Sequence, residues 1–544
     1  MVKKLLFVVL IVSNFAYSQN TVGTISITED AYEGYTLFTT HLKSYLINNC
    51  GELINEWTST YLPGNSVYLL PNGNLLRAGR ITDSMSNINF GGTGGVVELF
   101  DWDGNLLWSY IYFSNDFRQH HDVYPLPNGN VLMLAATVIN QTDAIQAGRN
   151  PLFLPDNEIY NEQILELEPV GTNQANIVWE WNIKDHLIQD LDNTKDNFGV
   201  VEDNPQLVDI NFFNGLNGAN NWLHINSMQY DETLDQIVLS SRHLSEVWVI
   251  DHSTTTAEAA TNSGGTYGKG GDLLYRWGNP QAYKQGTVND RKLFGQHYPH
   301  FIPSGLPNEG KIILFNNGFQ RTPSFSQVDI ITPPVVSPGV YQYTPNTAYG
   351  PVNSDYTYTD LSSDPSEFYT AILSSAQQLP NGHILVCEGI DGNVFELDAS
   401  DNKVWEYINP IHNVTGNTTN QGDPPNGSRL FRAIKYPTDY PGFNGRDLTP
   451  GIPLEGNPDL TPCNNLSVSD FENSIVNVYP NPTKDIIYVS SINTIDKIEV
   501  YNTLGHKIKE THNKYVNLAK QASGIYFLKI YSQNSTISKK ILKH

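Results

Sequence analysis

Cysteine is scarce in this chain. Its 544 residues hold three, Cys50, Cys387 and Cys463, too few for a disulfide scaffold and too far apart for a CxxC-type metal spacing, so one bridge at most can form. Lysine and arginine are also in short supply, 32 against 56 Asp and Glu, which argues against a nucleic-acid partner, whose phosphates demand a basic face. No apolar run reaches the ~20 residues of a membrane-spanning helix. Helical periodicity is nearly missing. So are the signatures of three large enzyme classes: GxxxxGK[ST] for nucleotide phosphates, HExxH for a zinc protease and GxSxG for a serine hydrolase. The core must therefore rest on apolar burial, which 39% hydrophobic residues in a chain of this length can supply without staples.

What is present begins at the ends. Lys3-Lys4, the apolar run Leu5 to Val12 and Ala16-Tyr17-Ser18 form the three regions of a cleaved secretory signal over residues 1–18. Residues 476–544 hold ten Lys against four acidic residues, so the acidic surplus lies in the body, residues 19–460. Between them, residues 461–475 end a stretch rich in Pro, Gly and Asn that reads as a linker. The tail segments "VYPNPTKDIIYV", "KIEVYNTLGHKI" and "GIYFLKIYSQNSTISKKILKH" alternate apolar and polar positions, which predicts a small β-sandwich. This tail resembles the type A sorting domain of the type IX secretion system of Bacteroidetes-like bacteria. The resemblance implies export to the periplasm, transport across the outer membrane by that machinery, and removal of the tail.

The body repeats itself. "LLPNGNLL" at 69–76, "PLPNGNVL" at 125–132 and "QLPNGHIL" at 378–385 each set Asn-Gly between apolar runs, which predicts hairpins with type I′ turns. A second recurrent piece ends in an aromatic, at Trp57, Trp108, Trp181, Trp277 and Trp405; "SDYTYTD" fills the gap before the last of these. The tryptophans read as packing residues with large buried area. Six copies of about 73 residues exceed the ~40 to 45 of a compact four-stranded blade, so the expectation is an all-β chain, a six-bladed β-propeller with long insertions. Seven blades are the alternative.

Three histidines, His121, His224 and His297, each stand seven residues ahead of a polar turn, at Asn128, Asp231 and Ser304. In a closed repeat fold, equivalent positions face the axis at similar height and would converge. The corresponding Asn65 and Ser374 are small and polar, which predicts a polar-lined funnel. Arg242 follows Ile237 by five residues, as Asn317 follows Ile312 and Arg80 follows Leu75. Three neutral imidazoles alone suit Zn²⁺ or copper. An adjacent guanidinium repels a cation and offers planar donors to an oxyanion such as sulfate or phosphate. The same charge keeps a neighbouring imidazole neutral and nucleophilic. The "DLDNTKDN" loop lacks the Gly and closing Glu of an EF-hand and reads as solvated.

"HHDVYPLPNGNVL", "NNWLHINSMQYDETLDQIVLSSRH", "LFGQHYPHFIPSGLPNEGKIILFNNG", "LPNGHILVCEGIDGNVFELD" and "RLFRAIKYP" together resemble the arylsulfate sulfotransferases that work without a nucleotide sulfate donor. The resemblance implies a six-bladed propeller and ping-pong transfer of a sulfuryl group from an aryl sulfate ester to a phenolic acceptor. It assigns His297, after Gln296, as the nucleophile that becomes sulfohistidine, with His224, Arg242 and His121 around it. His120, beside His121, is the alternative for the third imidazole, and His300 competes with His297. His120, His300, Asn226 and Asn317 are expected to bind substrate. No metal and no cofactor is implied. About thirty residues separate the signal from the first Trp-ending strand, which leaves no room for the amino-terminal β-sandwich of periplasmic members. The competing reading is a non-catalytic secreted propeller that binds glycans or anionic ligands.

Overall fold

The computed structural model describes residues 20–82, 86–154, 156–213, 215, 220–360, 367–464, 476–491, 494–532 and 535–544. The 1–18 signal and residues 465–475 of the linker lie outside the described residues. The chain divides into two compact units at Pro462/Cys463. Cys387 is a buried free thiol. Among the described residues no helix is long and apolar enough to cross a membrane.

The larger unit is all-β and contains six antiparallel sheets built on four strands; Val335–Ser337 and Val340–Tyr341, paired with each other, interrupt the fifth, and strands from the far end of the unit join the first and the sixth. The first sheet joins Gly34–Thr40, Lys43–Ile47 and Leu53–Thr58 to Ala433–Pro437, which pairs with Gly34–Thr40 from the far end of the unit. The second is Leu62–Leu69, Leu75–Arg80, Gly95–Phe100 and Leu106–Ile111; the third is Phe117–Pro125, Val131–Asn140, Glu158–Val170 and Gln174–Asn182. The fourth is Ile225–Asp231, Gln236–Ser241, Glu246–Asp251 and Tyr275–Trp277; the fifth is His297–Phe301, Ile312–Asn316, Gln327–Ile331 and Tyr356–Tyr358. The sixth is Ser375–Gln378, Ile384–Glu388, Asn393–Leu397 and Lys403–Ile408, extended at its edge by Gly23–Ile27. Both ends of the unit are thus built into sheets begun at the other end.

The middle strands are rich in Val, Ile and Leu because both faces are covered. Gln236–Ser241 and Glu246–Asp251 are buried at every position, whereas the outer strand Leu106–Ile111 is largely exposed. The LPNG hairpins form, with a different turn from the one expected. A type I′ turn needs positive φ at both Asn and Gly, yet among these pairs only Gly73, Gly129 and Gly382 have it, at 85°, 90° and 91°. Proline is the cause. Pro at the second turn position presets a negative φ suited to a type I turn. The Gly73 N–H then donates to Leu70 O at 2.9 Å and Leu70 N–H to Asn74 O at 2.8 Å, closing a three-residue loop. The same two bonds recur at Leu126 and at Leu379.

The recurrent aromatics lie on the fourth strands, and their polar ends join each sheet to the next. Nε1 of Trp57 donates to Asp101 O, Trp108 to Gln174 O, Trp181 to Gly271 O and Trp277 to Pro351 O, all at 2.8 Å. In the fifth sheet, whose fourth strand has no tryptophan, the Tyr356 hydroxyl of "SDYTYTD" donates to Asp401 Oδ1 at 2.6 Å. Trp405 of the sixth sheet donates to Asn49 O of the first at 2.7 Å, so the series returns to its start. Each acceptor sits at the connection into the neighbour's fourth strand. A buried indole removes about 150 to 250 Å² from water, and its N–H bond adds about 1 kcal/mol. The buried Lys435–Glu396 pair, at 2.9 Å, also ties the first sheet to the sixth.

The smaller unit contains a three-stranded sheet, Val476–Tyr479, Ile486–Ser491 and Tyr515–Asn517, and a four-stranded one, Lys507–Thr511, Lys497–Asn502, Gly524–Ser532 and Ser535–Lys543. They share a core of Ile487, Val489, Ile498, Val500, Val516, Leu528, Ile530 and Ile541. The alternation read in the tail is the alternation of this core.

Candidate active site

The first strands of sheets two to five break their ladders at one point each. Pairing jumps from Pro63↔Gly79 to Val67↔Arg77, from Gln119↔Ala135 to Val123↔Met133, from Ile225↔Ser241 to Met228↔Leu239 and from His297↔Phe315 to His300↔Ile313. Extra residues of this kind bend a strand and re-aim its side chains. The backbone is correspondingly left-handed at Asn65, His121, His224, Tyr298 and Ser374, a conformation rare outside glycine that concentrates at functional sites.

These irregularities correct the register read from the sequence. Relative to the first pair after the break, His121 stands two residues before Val123, His297 three before His300 and His224 four before Met228. Equal spacing to a polar turn is therefore not an equal place in the sheets. The rings nevertheless meet. The centroids of His121 and His224 are 4.8 Å apart, and Phe431 lies 6.3 Å from both His121 and His297. Phe90 packs against His121 and His224 at 5.9 and 5.5 Å, and His243 stacks on His224 at 4.7 Å.

Of the adjacent pair, His121 belongs to this cluster and His120 stands behind it. His120 is fully buried, with Nδ1 3.0 Å from His121 Nδ1 and Nε2 2.8 Å from Glu162 Oε2. It contacts protein on both nitrogens and is not placed to bind substrate. His121 Nε2 lies over Gly92, where a Cβ would come within 2.0 Å of it, and Gly92 has φ +94°.

The hydrogen on His297 is located by its neighbour. Asn317 Nδ2 donates to the carbonyls of Thr370 and Leu373, at 2.8 and 3.0 Å, which leaves Oδ1 facing His297 Nδ1 at 2.7 Å. Nδ1 therefore carries the hydrogen and Nε2 the lone pair. Asn317, expected to bind substrate, instead orients the imidazole. For His224 the neighbour acts oppositely: Asn221 Nδ2 lies 2.6 Å from Nδ1, so the amide donates and the ring hydrogen sits on Nε2. Asn226 donates to Gln296 O at 2.8 Å and holds the strand that carries His297; its Oδ1 is a buried acceptor with no partner among the described residues.

Burial and like charge keep these rings neutral. Burial first, and then the Arg242 guanidinium, push His297 down to about 3, against the opposing bonds to Asn317 and to the Gly295 backbone. Burial and the surrounding imidazoles, with Arg242, hold His121 and His224 well below the ordinary histidine value. His243 falls to about 4 for the same reasons, burial and then Arg242. Arg242 is itself lowered by burial, to about 10, and stays charged at neutral pH. Its Nη2 donates to Ala371 O at 3.3 Å, and its guanidinium lies 4.8 Å from the centre of the Phe319 ring. Its Nε has no partner among the described residues. A buried donor left unpaired is costly, and an anion would remove that cost. Among the described residues no group of three or more His, Cys, Asp or Glu is arranged to hold a metal ion.

Beneath the cluster the expected open funnel is filled. Arg432 Nη2 donates to Asp122 Oδ2 at 2.9 Å and its guanidinium stands 3.7 Å from the centre of the Tyr298 ring; the Tyr68 hydroxyl donates to Asp122 Oδ1 at 3.0 Å and accepts from Gln229 at 2.7 Å. One buried network thus joins the first strands of sheets two to five to the segment entering the first sheet. His300 lies beyond it. It lines a cavity of about 530 Å³ with Tyr68, Tyr124, Asp231 and Tyr436 at the other end of the first strands, so it is not part of the histidine cluster. A cavity of about 280 Å³ opens on the cluster's side, lined by Asn65, Arg80, Gly92, Leu373, Arg429 and Phe431 among others.

Sequence spacing missed Phe90, Glu162, Asn221, His243, Phe319, Phe431 and Arg432. His243 follows Arg242 directly and Phe431 with Arg432 lies in "RLFRAIKYP", so their neighbours marked them. Phe90 and Glu162 carry no such signal, because a loop brings in the first and the third strand of His120's own sheet the second.

A family model described as Arylsulfotransferase (ASST) matches residues 80–421, and one described as Secretion system C-terminal sorting domain matches residues 477–544. No curated protein matches the chain. Among solved structures it is similar to a protein of unknown function from Bacteroides caccae, 11% identical over 74% of this chain and 98% of that one, with a TM-score of 0.40. It is also similar to a putative 6-phosphogluconolactonase from Bacteroides fragilis, 11% identical over 75% and 99%, TM-score 0.34, and to a streptogramin B lyase, 12% identical over 77% and 94%, TM-score 0.33.

Proposed function

The chain belongs to the arylsulfotransferase family, and from that premise we propose that it transfers a sulfuryl group from an aryl sulfate ester to a phenol through a sulfated His297. The single observation that carries the reading is the tautomer of His297: Asn317 occupies Nδ1, leaving a neutral Nε2 lone pair in the field of a guanidinium whose Nε is unpaired. A nucleophile and an oxyanion donor are what sulfuryl transfer requires.

The chemistry balances without a further reagent. His297 Nε2 attacks sulfur, the sulfur–aryl oxygen bond breaks, and its electron pair leaves on the phenolate. Free phenols have a pKa near ~10, so phenolate is a tolerable leaving group. The acceptor phenol then loses its proton to water beside His121 and attacks sulfur; the nitrogen–sulfur bond breaks and its pair returns to Nε2. Arg242 and the Nε2–H of His224 hold the sulfuryl oxygens throughout, by positioning and preorganised charge as in phosphoryl transfer.

The fold proposed to carry this site is a six-bladed β-propeller over residues 19–460. Six sheets and a series of inter-sheet aromatic bonds that returns to its origin support it. Residues 461–475 form the linker and residues 476–544 the sorting domain, whose type would direct the protein through type IX secretion to the cell exterior, after a 1–18 signal is removed.

The test is acceptor-dependent release of nitrophenolate from 4-nitrophenyl sulfate. The expected result is turnover only with phenol present, a sulfated His297 trapped by mass spectrometry, and a fall of at least about ten-thousandfold in His297→Ala. Release with water alone would make the protein a hydrolase. Silence across a panel of aryl sulfates would leave an anion-binding propeller.

A further inference from the structure

We propose that the aryl group this site accepts carries a second anionic oxygen group, a carboxylate or another sulfate, held by Arg80 and Arg429. The inference rests on the sulfuryl transfer proposed above, and it names the substrate class within it: acidic phenols and their sulfate esters.

The cavity of about 280 Å³ borders the histidine cluster, and three of its lining residues touch the cluster or the groups that support it. Phe431 stands 6.3 Å from the rings of both His121 and His297. Gly92 lies against His121 Nε2. Leu373 supplies one of the two carbonyls that fix Asn317, and Asn317 fixes His297. A ring whose sulfate oxygen is at His297 has this cavity as its neighbouring space.

The walls of the cavity are unlike in character. Leu62, Pro63, Ile372, Leu373 and Phe431 offer apolar surface for an aryl ring, while Arg80 and Arg429 offer two guanidinia. Both arginines are exposed, and neither forms an ion pair among the described residues. Asp391 is close enough to Arg429 to be influenced by its charge, without a bond between them. In a chain with 56 acidic residues against 32 basic ones, two guanidinia at one cavity are a local concentration of positive charge open to an anion. Guanidinium matches the planar fork of a carboxylate or sulfate. Ping-pong transfer places donor and acceptor rings in the same space in turn, so the preference applies to both.

The experiment compares phenyl sulfate, 4-carboxyphenyl sulfate and benzene-1,4-disulfate as donors, in the wild-type protein and in Arg80→Gln/Arg429→Gln, which keeps long polar stems and removes both charges. The expected result is a lower KM for one or both acidic donors, an advantage that shrinks as salt is raised. In the double variant, KM for the preferred acidic donor should rise about tenfold more than KM for phenyl sulfate, with kcat little changed. The two acidic probes separate a carboxylate site from a sulfate site. Equal KM values for all three donors, or an equal rise for all three in the variant, would overturn the proposal. Titration calorimetry of the same compounds with His297→Ala reads the subsite without turnover. If no donor reacts in wild type yet the acidic compounds still bind better and lose that advantage in the Arg80→Gln/Arg429→Gln background, the transfer reading fails and the subsite stands; if binding shows no preference, the subsite fails by itself.

Discussion

Asn317 Oδ1 lies 2.7 Å from His297 Nδ1 and can present no other atom, because both hydrogens of its amide are spent on the carbonyls of Thr370 and Leu373. This one contact sets which nitrogen of His297 is free to react. Replacing Asn317 by Leu should release the imidazole to either tautomer, with a stability cost of about 1 to 3 kcal/mol for each of the two carbonyls left unpaired. Nitrophenolate bursts should slow by about ten- to a hundredfold, the usual cost of losing an orienting partner, with KM for the donor nearly unchanged. An unchanged burst rate would remove Asn317 from the account.

Arg242→Lys keeps a positive charge but replaces the guanidinium fork by a point charge on a flexible stem. The loss falls on the transition state, so kcat should drop by about a hundred- to a thousandfold. Single-turnover kinetics are the check, and activity within a few-fold of wild type would show that the planar donors do not matter.

Neutrality of the cluster gives a pH dependence. His297 binds a proton only below about pH 3 in the folded protein, whereas an unfolded histidine does so below ~6.5. Between those limits unfolding takes up a proton, so stability falls as pH is lowered through the window. His243, at about 4, acts in the same direction. The melting temperature should decline from pH 6.5 toward pH 4, and the burst rate should show no histidine-like inflection near 6.5. A sigmoidal loss of burst rate centred there would mean that His297 is solvated rather than buried.

Gly92 sits at φ +94° with no room for a Cβ beside His121. Gly92→Ala should displace the imidazole and lower acceptor turnover by at least about tenfold, at a stability cost of about 1 to 3 kcal/mol. Turnover in folded protein, judged by circular dichroism and acceptor titration, decides it; normal acceptor kinetics would place His121 outside the reaction.

Trp405→Phe keeps most of the buried ring and removes the N–H that reaches Asn49 O, at the contact where the inter-sheet series returns to its origin. The expected loss is about 1 to 3 kcal/mol, since the carbonyl is left unpaired. Urea denaturation measures it, and a neutral result would show that packing alone joins the sixth sheet to the first.

Much of the fold was legible because its signals are local. The LPNG turns, the aromatic on every fourth strand and the Tyr356 that replaces tryptophan in the fifth sheet are each contained in a few residues. The expected type I′ geometry failed for a local reason too, the proline beside the Asn-Gly pair. The site was legible as a set of residue types, His and Arg, and misread where the contacts on each ring nitrogen assign the roles. Spacing put His300 in competition with His297, but three residues along a bent strand carry it past the Arg432–Asp122 network to the far cavity.

Repeat unit, strand content, position of the packing aromatics and the chemical inventory of the site follow from the sequence by itself, because alternation, turn chemistry and residue type act over short stretches of chain. Which imidazole is nucleophilic, which donates and which stands behind was decided only by tertiary structure. A histidine's tautomer and charge depend on the atoms opposite its two nitrogens, and here those atoms, on Asn317, Asn221 and Glu162, arrive by folding.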